Sequence, residues 1–412
     1  MSNIKKQVLD FTLSEFDQEL KIIEKSNQFL GYGTDQDTLE NVLLWRKFFQ
    51  PSSYFGHTIA KNVSIVSDFR GLKDIWVTDS MGVCKNKINA IDTEKRIAIA
   101  NEQNLPIISF FGGSTIQGVG SYMPDFTIPS LVEKILFLEH NINSVCINHG
   151  VAGWSSTEEL NYLLHRLDYK PTHAIFYDGW NCVWNFYNGV LINHYSKDDS
   201  NIKWGKGTSL RHVEYDHNNY LQFSVKWHLT KALNLMINNF FNYLNKKIKN
   251  KKANKISSII SSKLFPIRRA NIFEKIKQND LPENIRNQYL NEICNEYIRI
   301  DQIAKTVCAN WGIEFVHFMQ PTLLTTSRPY TNKELKLLEL GESMPNSEVF
   351  SLFPKSIKER YHPKHLIDIT DTFDKINEDV FQDDGHLNPL GNYFVAKKIV
   401  MNLLTQDLIK FK

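Results

Sequence analysis

Two segments far apart in the chain carry the residue types of nucleophilic catalysis. One is Phe111-Gly112-Gly113-Ser114-Thr115, where an apolar run stops at two glycines and a serine; the other is Asp383-Asp384-Gly385-His386 near the C-terminal end. A hydroxyl, a neutral imidazole and a carboxylate are what acyl transfer at neutral pH requires: the first attacks, the second takes its proton, the third holds the ring in the right tautomer. The Asp-x-x-His spacing lets one loop deliver base and carboxylate together, His386 facing Ser114 with Asp383 behind it. Asp384 is a second carboxylate in the same loop, but the three-residue spacing from His386 favours Asp383. Taken singly, each segment also fits a plain structural role, since Gly-Gly-Ser-Thr is a common helix start and polar loops precede many helices. Position 116 is Ile, so the G-x-S-x-G elbow of α/β-hydrolases is absent.

These residues need a frame, and the pattern around them supplies one. From residue 105 the chain alternates short apolar runs with helical periodicity. Strands are predicted at 107–111, 144–148 and 174–177, with helices at 128–140 and 155–167. Ser155-Ser156-Thr157-Glu158-Glu159 reads as a capped helix start. A long helix is predicted over 284–311, a fourth strand over 313–319, a helix beginning near Thr331, a short extended run at 365–369 and a closing helix over 388–408. Strands followed by helices imply right-handed crossovers and a parallel sheet covered on both faces. In such a sheet ligands bind beyond the carboxyl ends of the strands. Ser114 follows the first strand, Gly153 the second and Asn181 the third, and the loop of Asp383 and His386 precedes the last helix.

The rest of the chain is organised differently. Residues 1–53 read as an N-terminal helical extension broken near Gly31-Tyr32-Gly33, and 54–104 as a β-rich lead-in. The domain of 105–412 is interrupted by an insertion at about 183–280. Within it a helix over 225–244, with Leu229, Leu233, Met236, Phe240 and Tyr243 on one stripe, runs into Lys246, Lys247, Lys249, Lys251, Lys252 and Lys255. That lysine run reads first as a solvated helix end; a weak contact with an anionic surface is the other reading.

Composition narrows the function classes. A formal charge of +3 over 412 residues is far from the footprint of a nucleic-acid binder. The five cysteines are scattered with no Cys-x-x-Cys, so neither a zinc site nor a disulfide framework is expected, and no cofactor or metal is called for. No signal-peptide h-region and no long charge-free apolar stretch occur, so no transmembrane segment is expected and the expected location is cytoplasmic.

The blocks and their order resemble the SGNH/GDSL hydrolase superfamily, in its bacterial carbohydrate-esterase-like members. Phe111 to Thr115 resembles block one, Asn148-His149-Gly150-Val151-Ala152-Gly153 block two, Asp178-Gly179-Trp180-Asn181 block three and Asp383-Asp384-Gly385-His386-Leu387 block five. The resemblance implies a three-layer α/β/α sandwich with a mostly parallel, flavodoxin-like sheet. It also implies Ser114 as nucleophile, His386 as base, Asp383 as its partner, and an oxyanion hole from Ser114, Gly153 and Asn181. Two departures stand out: Gly113 where the family has Asp, and Cys182 after Asn181 where it has Asp.

The function expected is a serine esterase that removes an acyl group, often acetyl, from a carbohydrate or other small ester through an acyl-enzyme. An O-acyltransferase to a glycan hydroxyl would use the same acyl-enzyme. A non-catalytic binding module would not need Ser114, Asn181, Asp383 and His386 all intact. Trp180, Trp184, Phe186 and Tyr187 are candidates for stacking on a sugar ring or for packing. Activity is expected to fall on acidification through the imidazole range, roughly 6–7.

Overall fold

The computed structural model describes residues 48–52, 56–69, 72–184, 283–340 and 348–406. The expected helices of residues 1–47, the helix over 225–244, the lysine run, Phe186 and Tyr187 lie outside these.

Two antiparallel hairpins come first, β1 (Phe49–Ser52) with β2 (Gly56–Ile59) and β3 (Ser64–Phe69) with β4 (Leu72–Val77). The β-rich segment thus begins before residue 54, and it also holds a helix, α1 (Thr93–Gln103). That helix escapes a periodicity reading because its inward face carries a charge. Arg96 is buried with its guanidinium on Glu133 and 3.2 Å from the Cys146 carbonyl.

The alternating part follows: β5 (Ile107–Gly112), the short α2 (Ser114–Gln117), α3 (Ile128–His140), β6 (Val145–Gly150), α4 (Ser156–Leu164) and β7 (His173–Asp178). After residue 282 come α5 (Glu283–Asn310), β8 (Glu314–Met319), α6 (Asn332–Leu340), α7 (Glu348–Arg360), β9 (Leu366–Asp368) and α8 (Pro389–Thr405). Local signals explain the ends. Ser155 and Glu158 close a capping box on α4, and the Asn388 side chain accepts from Gly391 N at 2.9 Å to start α8. Residues 325–364, expected to hold one helix, hold two; α7 contains Pro354, which removes a helical donor and reads as a breaker.

The five strands of the main sheet are all parallel and lie in the order β6–β5–β7–β8–β9. Numbered along the chain that is 2-1-3-4-5, the flavodoxin-like order. Side chains alternate between its faces. Ile108, Phe110, Ile175, Tyr177, Val316 and Phe318 join α3 and α8 in one core. Phe111, Ala174, Phe176 and Phe315 join α4 and α5 in the other. The result is the expected three-layer α/β/α sandwich. Phe48 and Trp76 of the hairpins belong to the second core, so the hairpins are built onto the sandwich. Burying an aromatic side chain of this size stabilises by roughly 2–3 kcal/mol, enough to hold a short hairpin that would be marginal alone.

Candidate functional site

In a sheet of this order the crevice opens at the carboxyl ends of β5 and β7, where successive connections leave on opposite faces. Ser114 stands at the first residue of α2, two positions beyond the end of β5. Its Oγ lies 2.7 Å from His386 Nε2, and His386 Nδ1 lies 2.7 Å from Asp383 Oδ2. A carboxylate beside Nδ1 selects the tautomer in which Nδ1–H donates to Asp383 and Nε2 accepts from the serine hydroxyl. Asp383 also builds the loop it sits in. Its Oδ1 accepts from Gly385 N at 2.9 Å and His386 N at 2.7 Å, a local turn that aims the ring. Asp383, not Asp384, is the carboxylate on the imidazole; Asp384 uses its carbonyl to accept from Leu323 N at 3.0 Å. The His386 side chain keeps 17% of its surface exposed and Asp383 5%, so the ring edge toward the serine stays reachable.

Asn181 follows β7, and its Nδ2 donates to the Trp154 carbonyl at 2.7 Å. A Cβ at Gly113 would collide with that same nitrogen and crowd Trp154 O at 3.2 Å. The peptide ahead of Ser114, the Asn181 amide and the turn after β6 therefore meet at one point. Gly153, in that turn, has φ +83° and only open space where a Cβ would project. Glycine at 113 has a local reason here: the pose of Asn181 occupies the volume a side chain at 113 would need.

Two residues without a role in the sequence reading hold this arrangement. Gln117 Oε1 accepts from Ala152 N at 2.7 Å, and Asn148 Nδ2 donates to Ile116 O at 2.8 Å while its Oδ1 accepts from Gly150 N at 2.9 Å. Together they lash α2 to the β6 turn and so fix Gly153 relative to Ser114. Polar side chains within or beside apolar runs are the signal that could have found them. Trp180 and Trp184 take the packing role: each lies against the Phe350 ring of α7, at 4.3 and 6.5 Å between centroids. Trp180 also packs on Gly385 of the loop that carries His386. Among the described residues no helix is long and apolar enough to cross a membrane, and no group of three or more His, Cys, Asp or Glu could hold a metal ion.

The fold and this geometry define an α/β sandwich whose serine, histidine and aspartate join at the carboxyl edge of a parallel sheet. No family model and no curated protein matches the chain. Among solved structures it is similar to LAE5, an alpha/beta hydrolase enzyme from the metagenome of Lake Arreo, Spain, at 11% identity over 74% of this chain and 97% of that one, TM-score 0.33. It is also similar to the acetyl xylan esterase AlAXEase, at 12% identity over 71% and 97%, TM-score 0.30. A further similar structure is the two-domain esterase CEX, active on acetylated mannans, at 11% identity over 79% and 57%, TM-score 0.31. Likeness at these identities is one of fold alone.

Proposed function

We propose that the protein is a serine esterase of the SGNH/GDSL kind, with Ser114 as nucleophile, His386 as general base and Asp383 as its orienting carboxylate. The observation that carries this is the unbroken line of hydrogen bonds from Ser114 Oγ through His386 to Asp383, 2.7 Å at each step. Neutral His386 takes the serine proton as Oγ bonds to the ester carbonyl carbon. The tetrahedral intermediate collapses with loss of the alcohol, which leaves with that proton, and an acyl-enzyme remains. Water, deprotonated in turn by His386, releases the acid and frees Ser114. The developing oxyanion is received by the Ser114 and Gly153 backbone N–H groups and the Asn181 amide. An amide nitrogen has two hydrogens; Trp154 takes one, and the other serves the oxyanion.

The substrate we assign is a small acyl ester, acetyl in the first instance, on a carbohydrate. All five cysteines are buried free thiols, which supports a reducing compartment. The test is fluorophosphonate labelling located by peptide mass mapping. Label is expected on Ser114 and absent from Ser114→Ala, with turnover of acetyl esters lost together with it. Labelling that survives in Ser114→Ala sinks the assignment.

A further inference from the structure

The strand β4 lies along the turn that follows the nucleophile helix. Asp74, fully buried on β4, accepts from Gly120 N at 3.0 Å through Oδ2 and from Tyr122 N at 2.8 Å through Oδ1. The next residue, Ile75, donates its N–H to the Tyr122 carbonyl at 2.9 Å. Tyr122 is thus gripped at both backbone groups, and it needs to be: its φ is +63°, a region that bulky residues avoid. The held turn then meets the loop that carries the base. The Tyr122 hydroxyl is bonded to Gln382 Nε2, Gln382 N donates to the His386 carbonyl at 2.9 Å, and a Cβ at Gly120 would stand 2.5 Å from Leu387 O.

We propose that Asp74, supplied by the hairpin ahead of the sandwich, is a positioning residue for the ester-cleaving site, holding the 118–122 turn so that the nucleophile segment and the base loop keep their spacing. The inference rests on the reading of Ser114, His386 and Asp383 as the reacting groups. A structural carboxylate would be expected where its charge is well tolerated, and this one is not. Burial raises Asp74 to about 6, against the lowering effect of its two backbone bonds and of His386. The fold therefore keeps a buried charge here at neutral pH to its own disadvantage, as functional sites do.

Among the described residues, the titratable groups that face Asp74 come from two segments. His386 comes from the base loop, and Tyr122 from the turn, its phenol pushed up by burial and by Asp74 itself. Asp125, on the short 3-10 turn packed against β4, is paired with Lys134 at 3.7 Å. Below about pH 6 Asp74 takes a proton, the two backbone bonds lose their charge assistance, and the turn loosens. Protonation of Asp74 then contributes to the acid limb of the rate.

The experiment compares wild type with Asp74→Asn in hydrolysis of an activated acetate ester and in the rate of fluorophosphonate labelling of Ser114. At pH 8, at a temperature where both proteins are fully folded, the variant is expected to label at least about tenfold more slowly, because the asparagine amide nitrogen cannot accept from the second backbone N–H and the turn is no longer held. The acid limb of log kcat/KM against pH is expected to be steeper in wild type than in the variant by about one unit of slope. Labelling within twofold of wild type, or acid limbs of equal slope, overturns the proposal. Should Asp74→Asn not fold, Tyr122→Phe, which removes the hydroxyl bonded to Gln382, is expected to slow labelling in the same sense, and an unchanged rate would overturn the proposal. If Ser114→Ala still labels, the ester-cleaving reading fails; if Ser114 takes the label and Asp74→Asn matches wild type, only the present inference fails.

Discussion

Among the described residues, two histidines held by aspartates, His386 and His317, have nearly the same pairing geometry and opposite character. His386 has Asp383 on one ring nitrogen and Ser114 on the other. His317, on β8, has Asp301 of α5 at 2.9 Å from Nδ1, and at Nε2 a second carboxylate, Asp178, at 2.9 Å, with the Tyr297 hydroxyl at 2.8 Å. The first ring is partly exposed, whereas the second is wholly buried. Burial alone would push His317 down, but Asp178 and Asp301 outweigh it and hold the ring up at about 9. Asp301 in turn lies well below the usual carboxylate range: burial raises it, and the bonds from His317 and His365 more than compensate. An imidazole clamped between carboxylates is a fixed cation, unable to take a proton from a substrate. One flanked by a carboxylate and a hydroxyl at a solvent-open crevice has a proton to gain. What separates the proposed base from the strut is the third partner and access, not the Asp–His pair.

The same substitution made at both rings should separate them most sharply. His386→Gln is expected to lower kcat/KM by about 10⁴-fold or more with little change in melting temperature. His317→Gln is expected to cost about 3–5 kcal/mol of stability, because Asp178 loses the buried cation beside it and Asp301 is left to His365 and Tyr361. Steady-state kinetics with chemical denaturation of both variants decides it, and equal behaviour would break the contrast. A smaller effect is expected at the crevice itself. Asn181→Ala should reduce kcat by about 10²–10³ with KM nearly constant, the signature of a lost oxyanion donor. A parallel rise in KM would instead make Asn181 a binding residue.

The smallest effect concerns pH. His317 binds its proton more tightly folded than unfolded, so its stabilising contribution is complete below its ordinary value of 6.5 and fades as pH rises through about 9. Denaturation midpoints should therefore decline between about pH 7 and 10, by on the order of 2–3 kcal/mol in unfolding free energy. A flat wild-type profile would show that the ring is not held as a cation.

Much of this architecture is legible in the chain, and the parts that are not share a cause. The helix expected over 128–140 is α3, and the strand expected over 107–111 is β5 with one more residue. Both are bounded by glycine, proline or a capping residue and have one apolar face or run. Ser114, Asp383 and His386 could be chosen because each stands where a parallel strand ends or the last helix begins. What stayed hidden depends on partners distant in sequence. Arg96 makes α1 look amphipathic in the wrong sense until Glu133 is beside it, and Pro354 looks like a stop until α7 is packed on α5 through Phe353 and Tyr297. Asp74 reads as a surface residue of a strand until Gly120 and Tyr122 close over it. Its meaning is entirely tertiary.

Written as letters, Gly113 differs from the Gly-Asp-Ser that the segment resembles, and introducing the aspartate would look like a natural repair. Written as volume, position 113 is already tenanted, because the Asn181 amide stands where the new Cβ would go. A side chain at 113 requires Asn181 to leave its present rotamer, so Gly113→Asp acts on the site through the Asn181 amide. Any redesign of this crevice has to treat 113, 154 and 181 as a single three-residue unit.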